Sequence, residues 1–232
     1  MNSSEPGKHH VAKELRDWRG DTYHNNPYIA KAKEFTRTGL LYTLDEFEKK
    51  YPGIFPDPGL PLVLDIGCYM GITVIELGKY NKGINVLGIE IKYKRVVKSC
   101  NKIAREGLEN CKIAICDARE LISILPENSL LGVFIFFPDP WQKTKQQKHR
   151  LLTMSFFEDI HPKLKENGFT WFKTDNKGYF DAVMEDIKKS NFTTGNSLPG
   201  MIADREYKTL FEEMFIRQKE PIYQTIIRKD RL

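Results

Sequence analysis

Leu131-Gly132-Val133-Phe134-Ile135-Phe136-Phe137-Pro138-Asp139-Pro140-Trp141 decides how this chain is read. Residues 131–137 are a continuous apolar run, the pattern of a strand buried on both faces of a parallel sheet. Pro138 ends the run because it has no N–H for a ladder, and Pro140 biases Asp139 away from helical angles. A carboxylate is thereby fixed on a stiff turn at the end of a buried strand, where open α/β sheets place their ligands. Lys143, Lys145, Lys148, His149 and Arg150 follow at once. An acid beside an aromatic and a cluster of cations suits a base attached to a phosphate backbone.

Strands and helices alternate on either side of this stretch. Upstream, strands are predicted over Leu60–Ile66, Ile84–Glu90 and Lys112–Cys116, with helices over Gly71–Tyr80, Tyr93–Glu106 and Arg119–Leu125. Downstream, Leu151–Lys165 has helical periodicity and runs into Asn167-Gly168, a common C-terminal signal. A strand over Phe169–Lys173, a helix over Tyr179–Ser190, a loop over Phe192–Ala203 and a helix over Lys208–Arg217 come next. Ile222–Arg228 makes a late strand, antiparallel to its neighbour. Such alternation implies an α/β fold with a doubly wound, mainly parallel sheet.

The length of 232 residues, with 41% hydrophobic and 29% charged content, fits one globular domain. No apolar stretch approaches a membrane span, and Met1–Glu14 lacks the apolar core of a signal peptide, so a cytoplasmic protein is expected. Cys68, Cys100, Cys111 and Cys116 show no C-x-x-C pairing and read as reduced core residues, with no metal site. The net charge of +5 is weak evidence by itself, but residues 1–40 and 143–150 are locally basic. Residues 1–40 read as a partly flexible basic arm, either a solvated tail or a segment that orders on RNA, and 41–232 as one domain. Within the latter, Thr43-Leu44-Asp45-Glu46 matches a capping box, with Phe47 and Tyr51 on one apolar face.

The glycines of Asp65-Ile66-Gly67-Cys68-Tyr69-Met70-Gly71, between the first strand and its helix, allow close approach of backbone to a ligand. Glu90 ends the second strand, where an acid bonds a ribose hydroxyl. Asp117-Ala118 ends the third, where a carboxylate can accept from an adenine amino group. Three acids at successive strand ends suit a nucleoside without a phosphate and repel a pyrophosphate. That favours S-adenosylmethionine over a nicotinamide dinucleotide, with Asp65 available to its ammonium group. Each acid taken alone reads equally well as a turn former or helix cap.

These residues resemble the bacterial single-chain tRNA (guanine-N7)-methyltransferase family over roughly 35–228. The motifs are Asp65-Ile66-Gly67-x-x-x-Gly71, Gly88-Ile89-Glu90, Cys116-Asp117-Ala118, Phe136-Phe137-Pro138-Asp139-Pro140-Trp141, Thr174-Asp175 and Thr209-Leu210-Phe211-Glu212. The resemblance implies a class I, Rossmann-like methyltransferase fold with a seven-stranded sheet. It implies methyl transfer from S-adenosylmethionine to guanine N7 at position 46 of the tRNA variable loop. Asp65, Gly67, Gly71, Glu90, Asp117, Ala118 and Asp139 would line the cofactor, with Asp139 as the active-site acid. Lys143, Asp175, Thr209, Leu210, Phe211 and Glu212 would face the substrate, and Lys145, Lys148 and Arg150 the RNA backbone. The implied partner is tRNA, with no membrane and no obligatory protein subunit; monomer and homodimer stay open.

Several of these residues carry a second reading. Thr209-x-x-Glu212 is also a capping box, Asp175 is also a cap for the helix near Lys177, and Trp141 is also a candidate core residue. The family pattern has glycine at the centre of the cofactor loop, where this chain has Tyr69, and Glu where it has Asp65. Gln146-Gln147 stands where the family has more Arg and Lys. Two competing functions follow: a tRNA-binding relative with little or no catalysis, motivated by Tyr69, and a methyltransferase for a small molecule or protein, against which the basic run argues.

Overall fold

The computed structural model describes residues 27–195 and 197–229. Eight strands form one sheet in the order β1-β4-β3-β2-β5-β6-β8-β7. The parallel strands are β1 (Leu41–Thr43), β2 (Leu62–Ile66), β3 (Asn85–Glu90), β4 (Cys111–Ile115), β5 (Leu130–Phe136) and β6 (Leu164–Thr174). Strands β7 (Phe192–Gly195) and β8 (Tyr223–Lys229) are antiparallel to their neighbours, with β8 inserted between β6 and β7. The mainly parallel class I sheet with a late antiparallel strand is as expected, but it has eight strands and not seven. The two unforeseen strands lie at the edges, where three or four residues suffice and leave little periodicity to read.

Period-two alternation sends Leu62, Leu64 and Ile66 to one face of β2 and Val63 to the other. Helices cover both faces, as parallel strands require. One face takes α1 (Pro27–Arg37), α3 (Ile72–Tyr80) and α4 (Tyr93–Glu106), through Phe35, Leu77, Val96 and Ile103. The other takes α2 (Leu44–Lys50), α5 (Ala118–Ile124), α6 (Met154–Ile160) and α7 (Lys177–Ile187), through Phe47, Leu121, Phe157 and Val183. The last helix, α8 (Leu210–Gln218), has Glu212 as its buried residue.

Thr43 caps α2 in the predicted capping box: Glu46 N–H donates to its side chain at 3.4 Å, and Glu46 Oε2 accepts from Thr43 N–H at 3.0 Å. Two elements differ from expectation. The helix predicted over Leu151–Lys165 spans Met154–Ile160, because Leu164 is drawn into β6 opposite Leu130. Asn167-Gly168 therefore lies in a bulge between the pairs Leu130–Leu164 and Gly132–Phe169, not at a helix end. In the presumed loop, Phe192–Gly195 finds partners across β8 and becomes a strand. Of the basic arm, residues 1–26 lie outside the described residues, and Pro27–Arg37 forms α1 with Ala32 and Phe35 buried.

Candidate active site

The chain passes from β2 through α3 to β3 on one side, and later returns to β5 on the other. The carboxyl ends of β2 and β5 thus flank a topological switch point, where such sheets bind ligands. The loop after β2 curls over it: Gly67 and Cys68 N–H donate to Ile89 C=O at 2.9 and 3.0 Å. Gly67 (φ 74°) is exposed, and a Cβ there would meet no atom within 4 Å, so its face is open. Gly71 (φ 70°) has the opposite reason to be glycine, since its Cβ would fall 2.9 Å from that of Ser99 on α4.

Tyr69 holds the left-handed conformation at φ 50°, a strained one for a residue with a side chain. Its carbonyl accepts from Ser99 Oγ at 3.1 Å. Its ring packs on the Arg95 guanidinium at 4.7 Å and the Phe211 ring at 5.2 Å. The phenol is thus taken up by α4 and α8.

The three acids are placed unequally. Asp65 is 3% exposed and its Oδ2 is buried without a partner among the described residues. Burial, with the Glu90 carboxylate adding, pushes its carboxyl up to about 8. Glu90 ends β3 with Oε1 accepting from the N–H groups of Ile91 and Lys92 at 2.8 and 3.0 Å; Arg95 lies 3.4 Å from Oε2. Asp117 caps α5, its Oδ1 accepting from Arg119 N–H at 2.8 Å, and Ala118 is the buried first residue of that helix. Glu90 and Asp117 thus fulfil the turn-forming reading, each committing one carboxylate oxygen to the backbone.

Beyond β5 the ladder continues to Phe137, whose N–H donates to Lys173 C=O at 2.8 Å, and then turns. The turn is bracketed by two left-handed residues, Phe137 (φ 54°) and Trp141 (φ 42°). Strain of this kind, about 1–3 kcal/mol per residue, persists where the surroundings over-determine it. Asp139 between them is exposed, with no partner among the described residues. Trp141 is 36% exposed beside His149, so it is no core residue. Lys143 precedes a 3-10 turn over Thr144–His149 that keeps Lys145 and Lys148 in solvent. Arg150 departs from the expected set of backbone-facing cations. It is buried, donates from Nε to Pro140 C=O at 2.8 Å and covers the Tyr179 ring, so it braces the turn from below.

Helix α8 roofs the crevice. Phe211 meets Tyr69, and Phe215 meets Phe137 at 5.3 Å, so one helix touches both the β2 loop and the β5 turn. Thr209 caps it by accepting from Glu212 N–H at 3.1 Å. The capping box is only half made, because the Glu212 carboxylate goes elsewhere. Buried Lys173 Nζ lies 3.0 and 2.9 Å from its two oxygens. Lys173 also donates to Tyr207 C=O at 3.1 Å and sits over the rings of Phe136 and Trp171. Burial pulls this ammonium below its ordinary value while Glu212 opposes the shift. Glu212 is thus an anchor of α8 and not an open acid. Leu210 and Phe211 are 42% and 37% exposed at the helix start. Asp175 is half-buried, and the cap of α7 is its neighbour Asn176, which accepts from Tyr179 N–H at 2.8 Å. The alternative reading of Asp175 as a helix cap is therefore set aside.

One end of the sheet thus collects an open glycine face, a buried acid with one unpartnered oxygen, the acids Glu90 and Asp117 each bonded through one oxygen to the backbone, and the acids Asp139 and Asp175. Lys173, Arg95 and Phe215 were missed from the sequence. A lysine at the end of the apolar strand Phe169-Thr170-Trp171-Phe172 was the one signal available for the first. The four cysteines are free and buried, and burial pushes the Cys100 and Cys111 thiols up to about 12, which leaves them inert.

Residues 60–225 match the family model described as "Putative methyltransferase". The chain is 35% identical to a tRNA (guanine-N(7)-)-methyltransferase of Dechloromonas aromatica (strain RCB), over 87% of this chain and 81% of that one. It is 33% identical to the enzyme of the same name from Alkaliphilus oremlandii (strain OhILAs), over 86% and 97%. Among solved structures, the aminoglycoside resistance methyltransferase NpmB1 shares the fold with a TM-score of 0.52 at 16% identity, over 80% of this chain and 93% of that one. With more than four fifths of the chain matched to each of those two relatives at 33–35% identity, this protein belongs to the tRNA (guanine-N(7)-)-methyltransferase family.

Proposed function

We propose that the chain methylates guanine N7 of tRNA at variable-loop position 46. The observation that carries the reading is the meeting, at one switch point, of buried Asp65 with its unpartnered oxygen and exposed Asp139 on its strained turn. The cofactor is S-adenosylmethionine, which when bound supplies an electrophilic methyl group on a sulfonium. Its ammonium suits Asp65, its ribose hydroxyls suit Glu90, and its adenine amino group suits Asp117, while Gly67 leaves an open face and Gly71 lets the loop pack closely on α4.

Guanine N7 has a lone pair and no proton, so no general base is required. The work of the side chains is to align, which is a matter of proximity and orientation. Asp139 and Asp175 accept from the N1–H and N2–H₂ edge of guanine, and Asp139 sets the base against the cofactor pocket. Trp141, exposed beside the turn, offers a ring face for an extruded base. Glu212, held by Lys173, fixes the roof rather than the base. Lys143 faces the substrate, and Lys145 and Lys148 neutralise phosphates.

Purified protein, cofactor and unmodified tRNA should give 7-methylguanosine by nucleoside mass spectrometry. The product should vanish in Asp139→Ala and with a transcript carrying adenosine at position 46. Bound tRNA without product would instead support the binding relative that Tyr69 motivates. The engagement of its ring by Arg95 and Phe211 favours the enzyme.

A further inference from the structure

We infer that α4 carries a second RNA-backbone contact: a ridge of cations beside the cofactor loop, on the far side of the switch point from Lys143–Lys148. The inference rests on the reading of tRNA as substrate. The ridge is made by Lys94, Arg95, Lys98, Lys102 and Arg105 on one helix. At 3.6 residues per turn these five fall within an arc of about 100°, along about 16 Å of axis. Val96, Ser99, Cys100 and Ile103 are buried on the opposite side, so the arc faces outward. Glu106 is the single acid of the helix, and it pairs with Lys79 at 2.6 Å.

Two cations tie the ridge to the site. Arg95 covers the Tyr69 ring, and Lys102 Nζ donates to Met70 C=O at 3.2 Å. Lys94, Lys98 and Arg105 are exposed and have no ion-pair partner among the described residues. Burial draws Lys102 below its ordinary value, and Lys98 and Arg105 add to the shift. Like charges crowded on one arc repel one another, and an anion laid along them relieves that repulsion. A solvated helix made for solubility would alternate signs.

The polymer that matches such a ridge is a phosphate backbone. Sheet order sets the ridge apart from the other basic segment. α4 joins β3 to β4, whereas Lys143–Lys148 follows β5, with β2 between. An RNA whose target base enters the crevice is thereby held on two sides, and register across the crevice is set by backbone contacts without reading sequence.

The test measures tRNA affinity against salt for the wild type and for Lys94→Gln/Lys98→Gln/Arg105→Gln. Arg95 and Lys102 are left in place because they hold the loop. The control is Lys165→Gln/Lys188→Gln/Lys189→Gln, which removes the same charge from exposed positions on β6 and at the end of α7, in the other half of the sheet order. The ridge variant should bind tRNA roughly tenfold or more weakly at moderate salt, with a salt slope shallower by about 2–3. Affinity for S-adenosylmethionine should be unchanged in both variants. Equal slopes for the ridge variant and the wild type would overturn the inference and leave the substrate reading standing. An equal loss in the control would also overturn it, by reducing the effect to net charge. A wild type that does not bind tRNA at all would overturn both.

Discussion

Lys173 at the end of β6 and Glu212 in the first turn of α8 form a buried ion pair, 2.9 Å apart at the closer oxygen, that fastens the roof of the crevice to its sheet. A pair of this kind is costly to break from one side, because the remaining charge stays buried, at about 3–5 kcal/mol. Lys173→Met should lose that amount in urea unfolding, and Glu212→Gln somewhat less. The double variant Lys173→Met/Glu212→Leu should recover most of it. If the double variant is as unstable as either single one, the pair is not the anchor.

Asp65, buried beneath the loop after β2, has a pH signature. A carboxyl raised to about 8 in the folded chain stays protonated while its unfolded counterpart ionises near its ordinary value. Stability from this group is therefore full below pH ~4 and is lost progressively as pH rises to ~8. Asp65→Asn should flatten that slope and be more stable than the parent at pH 8. A cation bound beside Asp65 draws its proton off. Cofactor binding near neutral pH should then release a proton, measurable by calorimetry in buffers of different ionisation enthalpy, and Asp65→Asn should abolish the release.

Tyr69 separates backbone strain from ring contact. Tyr69→Gly relieves the left-handed conformation but loses the Arg95 and Phe211 contacts, whereas Tyr69→Ala keeps the strain and loses them too. Ala should be less stable than Gly by about 1 kcal/mol. Both should raise the KM for tRNA by loosening α8, and Tyr69→Phe should behave as the parent. Equal stabilities for Gly and Ala would mean that the loop relaxes without the ring.

Asp175 and Asn176 are adjacent and should fail differently. Asn176→Ala removes the cap of α7 and should cost about 1 kcal/mol with activity retained. Asp175→Ala should leave stability within about 0.5 kcal/mol and lower activity. Thermal melts beside turnover on tRNA distinguish the two.

Much of this arrangement was legible in the sequence because local rules wrote it. The strand ending at Pro138, the glycines at 67 and 71 and the acids closing β2, β3 and β4 follow from period-two runs, missing donors and left-handed φ, all short-range properties. What was not legible depended on contacts across the chain. That Arg150 turns inward to Pro140 and Tyr179, that Glu212 is consumed by Lys173, and that Phe192–Gly195 becomes a strand are each decided by a partner at least ten residues away. Side-chain type says that Arg150 is a cation; only the position of Tyr179 says which way it points.

The insertion of β8 between β6 and β7 has a consequence for the timing of folding. α8 lies on the segment joining β7 to β8, and among the described residues β7 pairs with no strand except β8. Until Tyr223–Lys229 slots against β6, that edge of the sheet is open and the segment carrying α8 is not closed at its far end. The half from β2 through β4 closes through local crossovers and can form first. The crevice should therefore be completed late in folding, after the sheet from β2 through β4. In pulse-labelled hydrogen exchange, the amides of α8 should gain protection together with those of β8 and after those of β2 and β3.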